Sequence, residues 1–205
     1  MRCQVCSNES LSRFLDLGSS PVCIFPTEAS LESEQSYPLN AHYCPSCGLV
    51  QLGYLVDQEV MFTDDYHHIA ALSSSFKSHL GSLAEDSTRR FRLTSDDLVL
   101  EIGSNDGALL EAFSVHGVRI LGVDPSDVSK IAIENGVPTI EEFFDEELGA
   151  KIAREHGKAK LIAALNTFAH VSAMSSFMRG IRHVLTDSGV FVSESHYLLD
   201  LVSEL

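Results

Sequence analysis

A parallel β-sheet covered by helices, preceded by a small cysteine-bearing domain, is the α/β architecture that the 205-residue sequence predicts. From residue 98 onward, short runs rich in Val, Ile and Leu alternate with segments of helical periodicity. This alternation is typical of a parallel sheet with helices on both faces. Residues 1–60 differ, because they are rich in turns, have few long periodic segments and carry paired cysteines. We therefore expect a small domain over 1–60, a connecting helical segment over 61–93 and an α/β domain over 94–205.

The composition argues against nucleic acid and membranes as partners. The chain has 29 acidic and 14 basic residues, a formal charge of −15, and such a surface repels phosphate backbones. No apolar run is long enough to span a bilayer, and the N-terminal residues lack the apolar stretch of a secretory signal. With 44% apolar residues the chain can bury a core. We therefore expect a cytoplasmic protein.

The first chemical signature along the chain is a pair of C-x-x-C motifs, formed by Cys3 with Cys6 and by Cys44 with Cys47. In a reducing compartment such pairs are more often metal sites than disulfides. Two such turns supply the four thiolates of a tetrahedral Zn²⁺ site and leave no open position for catalysis. We therefore expect a structural zinc site, which also explains how a turn-rich segment of this kind could fold. Four ordinary buried thiols are the alternative, and His42 is a less favoured substitute ligand.

The remaining elements follow in order along the chain. Apolar residues at helical spacing, among them Leu72, Phe76 and Leu80, predict a helix from about 70 to 91. The predicted strands cover residues 98–103, 119–124, 138–144, 159–166 and 189–195. The predicted helices cover residues 107–117, 125–136, 145–157 and 172–189, each of which ends at a glycine.

Between the first strand and the first helix of the α/β domain lies the loop GSNDG, with Gly103, Asn105 and Gly107. A strand, a glycine turn and a helix in this order often hold a nucleotide-like cofactor, because glycine lets a ligand approach the backbone. Asp124 ends the next strand, where a carboxylate can accept hydrogen bonds from both hydroxyls of a ribose. Asp106 would repel a pyrophosphate in this turn, whereas S-adenosylmethionine offers a ribose, an amino-acid group and a cationic sulfonium. A plain strand–helix turn with a solvated acid is the alternative.

Seven segments resemble the sugar C-methyltransferases, and they occur in that family's order over essentially the whole chain. They are CQVCSNESLSRFLDLGSSPV, YPLNAHYCPSCGLVQLGYLVD, LVLEIGSNDGALLEAF, ILGVDPS, GVPTIEEFF, LNTFAHV and YLLDLV. The resemblance implies a Rossmann-like class I methyltransferase core behind a small N-terminal zinc-binding domain. It further implies S-adenosylmethionine and Zn²⁺ as cofactors, a nucleotide-linked deoxysugar as substrate, and methylation of a ring carbon next to a ketone.

The resemblance also assigns site residues one by one. Cofactor contacts are implied for residues on the first strand, in the loop, and at the ends of the second and third strands: Glu101, Gly103, Asn105, Gly107, Asp124, Phe143 and Phe144. Catalytic or substrate-lining roles near the transferred methyl group are implied for Tyr66, Asn166 and His170. The alternatives are that the two phenylalanines belong to the core, that His170 caps a helix beginning near Ser172, and that Tyr66 lies in a surface turn.

The sequence departs from the family in three places. The segment ESHY, with His196, replaces Glu-x-Pro-Tyr after the fifth strand, and Cys23, expected as a small buried apolar residue, occupies an unusual position. The family also continues for about as long again, and that part carries a tyrosine- and histidine-containing run thought to supply the general base. We expect a partner chain, a homo-oligomer contact or a longer parent protein to supply it, and the alternative is that the fold has adapted to its absence. A non-catalytic binding or assembly subunit is the alternative function, and an rRNA methyltransferase is disfavoured by the negative charge.

Overall fold

The computed structural model describes residues 1–22, 34–62 and 69–203. The chain divides into two compact units, the first comprising residues 1–67 with 172–175 and the second comprising residues 68–171 with 176–205. Among the described residues, no helix combines the length and the hydrophobicity needed to cross a membrane.

The first unit contains a three-stranded antiparallel sheet in the order β1-β2-β3. Its strands are β1 (Ser12–Pro21), β2 (Ser36–Tyr43) and β3 (Val50–Leu52), and a short helix, α1 (Gln58–Phe62), follows them. The turn-rich sequence of this region did not indicate strands as long as β1 and β2. The sequence gives little sign of β1, because nearly all of its residues are exposed and its pairing with β2 is interrupted twice. Only Leu15 and Leu17 follow the apolar alternation of a strand.

The second unit contains five parallel strands in the order β6-β5-β4-β7-β8, which confirms the predicted parallel sheet. The strands are β4 (Leu98–Ile102), β5 (Arg119–Val123), β6 (Thr139–Ile140), β7 (Ala159–Leu165) and β8 (Leu185–Glu194). The chain proceeds outward from β4 in one direction and then returns to place β7 on its other side. A ligand site is expected outside the carboxyl ends of the strands at such a switch point.

The helices of this unit are α2 (Ser74–Phe91), α3 (Ala108–Ser114), α4 (Ser129–Glu134), α5 (Glu146–Glu155), α6 (Met174–Val184) and α7 (Leu198–Ser203). Successive residues of β4 point to opposite faces of the sheet, so they contribute to two separate cores. Val99 packs with Leu80 of α2 and Phe113 of α3 on one face. Leu100 packs with residues of α5 and α6 on the other face. The predicted helix over 70–91 is observed as a short 3₁₀ turn, Ala70–Leu72, followed by α2.

Two predicted boundaries differ from the structure. The strand predicted over 138–144 pairs with β5 only at Thr139 and Ile140, so the residues after Ile140 form a loop. The helix predicted over 172–189 ends at Val184, because Leu185 already pairs with Ala159 of β7. Between the two ends of β8 the pairing with β7 is irregular, and the spacing of apolar residues alone does not reveal where the helix stops.

Candidate metal centre and cofactor site

The structure brings Cys3, Cys6, Cys44 and Cys47 together, with all four Sγ atoms within 4.8 Å of one another. The Sγ atoms of Cys3 and Cys47 are 3.5 Å apart, as are those of Cys6 and Cys44. A tetrahedral zinc site with Zn–S bonds of about 2.3 Å needs sulfur–sulfur separations of about 3.8 Å. The donor set therefore fits a closed zinc site. His42 is not part of the group, and Cys23 lies outside the described residues.

The two cysteine turns have the same backbone hydrogen bonds. The amide of Cys3 donates to the Asn8 carbonyl at 2.9 Å, and the amide of Cys44 donates to the Leu49 carbonyl at 2.8 Å. The residue four positions after each of these cysteines is left-handed, with φ of 60° at Ser7 and 79° at Gly48. Glycine adopts this conformation without strain, whereas serine does so at a cost. The first turn is therefore built like the second but with a strained residue.

The pKa values of two thiols in the cluster are shifted in opposite directions, so one ionises more readily than the other. Burial acts to raise the pKa of Cys44, but the backbone N–H groups of Cys47 and Ser46 and the nearby Cys6 and Asn8 side chains together lower it to about 6. The Leu49 N–H acts to lower the pKa of Cys47, but burial and the neighbouring thiols raise it to about 12. The side-chain amide of Asn8 donates to Cys44 Sγ at 3.7 Å, a contact that the sequence did not indicate. Negative charge on one thiolate disfavours ionisation of the neighbouring thiols. A divalent cation bound among the four sulfurs would compensate this negative charge.

Buried Gln51 is a second residue that sequence reasoning missed in the first unit. Its Oε1 accepts from the Gln4 amide at 3.0 Å, and its Nε2 donates to the Arg2 carbonyl at 3.2 Å. These bonds hold the chain around Cys3 beside β3. Only the tertiary fold shows them, because the partners are separated by almost fifty residues.

At the carboxyl ends of β4 and β5, the structure brings together Glu101, the loop 103–107 and Asp124. Both loop glycines are required for the same two reasons, a left-handed backbone and a neighbouring side chain that leaves no room for a Cβ. Gly103 has a φ of 74°, and a Cβ there would lie 2.1 Å from Thr167 Oγ1. Gly107 has a φ of 81°, and a Cβ there would lie 3.0 Å from the Ala132 Cβ. A side chain at either position would therefore be strained and crowded.

Asp124 is 6% exposed, and its carboxylate already holds the loop. Oδ2 accepts from the Asn105 amide at 2.8 Å, and Oδ1 accepts from the Ser126 amide at 2.9 Å and the Ser126 hydroxyl at 2.5 Å. Each carboxylate oxygen has about two acceptor sites. Oδ1 is thus filled by protein donors and Oδ2 retains one site, while the expected contact of this carboxylate with the ribose hydroxyls stays a prediction. The role of Ser126 in fixing this carboxylate was not foreseen.

Glu101 lies on β4 and is 5% exposed, and its Oε2 accepts no hydrogen bond from any described residue. Burial, and then the negative charges of Asp124 and Asp106, raise the pKa of this carboxyl well above its ordinary value. The Ser104 hydroxyl in the adjoining loop is also buried and has no partner among the described residues. Buried polar groups normally have partners. A ligand that brings an ammonium group to this edge of the sheet would supply one.

Asp106 is 3% exposed, so the alternative of a solvated acid in the loop is wrong. Its Oδ2 accepts from the Ala71 amide at 2.8 Å, and its Oδ1 accepts from the Ala108 amide at 3.3 Å. The carboxylate therefore serves the backbone, although its charge still acts on Glu101. The sequence could not show this because Ala71 is 35 positions away.

The two phenylalanines that the sequence places at the adenine lie in the loop after β6. The Phe144 ring packs edge-on against Phe177 at 5.2 Å and joins the core beneath α5 and α6. Phe143 is half-buried. Of the pair, Phe143 is therefore the better candidate for an adenine contact, which stays a prediction.

The residues assigned to the reaction follow β7. Asn166 is left-handed with a φ of 51°, and its amide donates to the Glu194 carbonyl at 2.8 Å. His170 closes a 3₁₀ turn, Phe168–His170, and partial burial, followed by the nearby His196, holds the pKa of its ring below the usual range. Tyr66 lies outside the described residues. The structure thus places Asn166 and His170 just beyond the carboxyl end of a strand adjoining β4.

Comparisons with known proteins agree with these features. A family model described as a methyltransferase domain matches residues 76–202, and one described as a zinc binding domain matches residues 3–62. The chain is 33% identical over 203 residues to the C-methyltransferase NovU of Streptomyces niveus, covering 98% of this chain and 48% of that protein. The chain thus spans about half the length of this curated relative.

Part of the chain also resembles solved structures of methyltransferases. An S-adenosylmethionine-dependent methyltransferase from Clostridium acetobutylicum superposes with a TM-score of 0.50 at 15% identity, covering 63% of this chain and 54% of its own. A methyltransferase described in the same way from Anabaena variabilis gives 0.47 at 16% identity, covering 57% and 51%.

Proposed function

The chain belongs to the methyltransferase domain family, whose model matches more than half of its length, and from this premise we propose a specific activity. The proposal is an S-adenosylmethionine-dependent C-methyltransferase that acts on a nucleotide-linked deoxysugar. The observation that carries it is the buried carboxyl group of Glu101, whose Oε2 has no hydrogen-bond partner among the described residues, near Asp124 at the switch point of the parallel sheet. The likeness to NovU supports transfer to carbon.

In this proposal the chain's own residues bind and orient the cofactor. The remaining acceptor site of Asp124 Oδ2 receives one ribose hydroxyl, and Glu101 becomes ionised against the amino group of the cofactor. Gly103 and Gly107 keep the loop narrow, so that the ligand approaches the backbone. When bound, S-adenosylmethionine supplies an electrophilic methyl group.

For the substrate, the proposal assigns His170 and Asn166 to the side from which the sugar enters. A neutral imidazole can accept a proton from a carbon next to a ketone, and the lowered pKa of His170 keeps the ring neutral over a wider pH range. Asn166 can donate a hydrogen bond to an oxygen that gains negative charge. Tyr66 is proposed as a third participant, on the resemblance alone. The zinc site is structural, because its four thiolates leave no open position.

Calorimetric titration with S-adenosylmethionine tests the cofactor part of the proposal. We expect binding to the wild-type chain and a loss of at least tenfold in affinity for Asp124→Ala, because a buried hydrogen-bonded carboxylate is removed. Asp127→Ala is the matched control, since Asp127 is exposed and pairs with Lys130. Absence of binding by the wild-type chain, or equal affinity of the two variants, would overturn the assignment.

A methyl-transfer assay with a nucleotide-linked keto-deoxysugar tests the substrate part. Labelled product from the chain, alone or mixed with a protein that supplies the remainder of the NovU-like sequence, supports the enzyme. Cofactor binding without transfer under both conditions would favour the alternative, a non-catalytic binding or assembly subunit.

A further inference from the structure

We infer that the turn Ala70–Leu72, outside the cofactor loop, is a positioning element of the cofactor site and contributes to cofactor affinity. The inference rests on the proposed function. The turn lies directly before α2 and contacts the loop 103–107 through two backbone amides. We call these contacts, from Ala70 to Asn105 and from Ala71 to Asp106, the loop clasp.

The loop clasp consists of two hydrogen bonds between segments 35 positions apart. The amide of Ala70 donates to Asn105 Oδ1 at 2.9 Å, and the amide of Ala71 donates to Asp106 Oδ2 at 2.8 Å. The first N–H groups of a helical turn have no partner within the turn, so they are available to an acceptor outside it. Asp106 is almost fully buried, and a buried carboxylate that loses a donor is strongly destabilised.

Asn105 transmits the effect of the loop clasp to the ribose-binding carboxylate. Its φ of 52° lies in the left-handed region, which asparagine adopts more readily than other non-glycine residues and which its hydrogen bonds hold here. Its side-chain oxygen accepts from Ala70, while its own amide donates to Asp124 Oδ2 at 2.8 Å. If the hydrogen bond from Ala70 is lost, the Asn105 N–H group that donates to Asp124 is held less firmly in place. Because its side-chain oxygen is engaged by the turn, Asn105 acts here as a positioning residue.

The substitution Ala70→Pro tests the loop clasp without changing any residue of the loop. Proline lacks the N–H donor and suits the first position of a helical turn. The preceding residue, Ile69, has φ −116° and ψ 116°, which is the conformation that a residue before proline prefers. Ser74→Pro is the matched control. Ser74 begins α2 after a residue with φ −92° and ψ 114°, and within the described ranges it has no hydrogen bond to the loop.

The acceptor is removed by Asn105→Gly, which keeps the left-handed conformation accessible. S-adenosylhomocysteine is titrated calorimetrically into the wild type, Ala70→Pro, Asn105→Gly and the double variant, at a temperature where circular dichroism shows all four folded. We expect each single variant to bind about three- to tenfold more weakly, and the double variant to bind no more weakly than the weaker single variant. Asn105→Asp, which keeps an acceptor, should restore most of the affinity, and Ser74→Pro should bind like the wild type.

Wild-type affinity in Ala70→Pro, or purely additive losses in the double variant, would overturn the inference. Amide hydrogen exchange measured without cofactor tests the contact between turn and loop independently of cofactor binding. It therefore distinguishes failure of the loop clasp from failure of the proposed function. If the wild-type chain binds no S-adenosylhomocysteine, the proposed function fails, and the inference that rests on it fails too. Faster exchange at Ala71 in Asp106→Ala supports the contact between turn and loop, and unchanged exchange contradicts that contact.

Discussion

Replacing Glu101 by Gln should make the cofactor-free chain more stable at neutral and alkaline pH. The wild-type carboxyl is buried and lies near the negative charges of Asp124 and Asp106, and its Oε2 has no hydrogen-bond partner in the described part of the chain. The folded state therefore favours its protonated form. The pKa in the folded state is therefore raised above the ordinary value of 4.5. The stability that this group contributes is complete below pH 4.5 and is lost as the pH rises through the raised pKa. Glutamine does not titrate, so it avoids this loss.

The size of the effect follows from proton linkage. Between the ordinary and the raised pKa, the free energy of unfolding of the wild type should fall by about 1.4 kcal/mol per pH unit relative to the variant. For a chain of this size that corresponds to about 3–5 °C in Tm per pH unit.

Thermal unfolding followed by circular dichroism from pH 5 to 8 measures this difference. Glu134→Gln, an exposed substitution on α4, is the matched control and should run parallel to the wild type. Parallel curves for the wild type and Glu101→Gln over this range would refute the reasoning.

Three further predictions concern the zinc site, the core and the reaction. The folded chain should contain one zinc ion per molecule by atomic absorption, and Ser7→Gly should raise the stability of the metal-loaded form by about 0.5–1 kcal/mol, because it relieves a left-handed serine. Gly149→Ala should destabilise the chain by about 2–3 kcal/mol in urea unfolding, because the new Cβ would lie 2.4 Å from the Gly180 carbonyl oxygen. Gly81→Ala, whose Cβ would have no atom within 4 Å, should stabilise the chain by about 0.5–1 kcal/mol. On the acid side of the pH profile of the methyl-transfer rate, the midpoint should lie below pH 6.5, because burial and His196 lower the pKa of His170. The variant His170→Gln should lose this decrease of the rate at low pH. A zinc-free folded chain, equal stability of the two alanine variants, or an unchanged decrease of the rate at low pH in His170→Gln would contradict these expectations in turn.

Much of the second unit could be predicted because its signals are local. The strands β4, β5 and β7 are mostly buried, so each reads as a short run of apolar residues with a single charged residue in it. The loop after β4 must be narrow and left-handed at Gly103, and glycine is the residue that permits this. The cysteine pairs likewise carry their spacing in the sequence, so the metal cluster could be located from residues alone.

The parts that escaped prediction depend on contacts between distant residues. The partner of Asp106 is the amide of Ala71, and a backbone N–H group leaves no trace in the sequence. The hydrogen bonds of Ser126 reduce the capacity of Asp124, but a serine two residues after an aspartate is too common to indicate this. In the first unit, β1 is exposed and irregularly paired, so apart from Leu15 and Leu17 its residues follow no apolar alternation that could mark a strand.

A crystal structure of the chain soaked with S-adenosylhomocysteine tests the central claim most directly. We expect the ligand at the carboxyl ends of β4 and β5, with one ribose hydroxyl within hydrogen-bond distance of Asp124 Oδ2 and the amino group beside Glu101. An empty site at millimolar ligand, or a ligand whose ribose does not contact Asp124, would contradict the account.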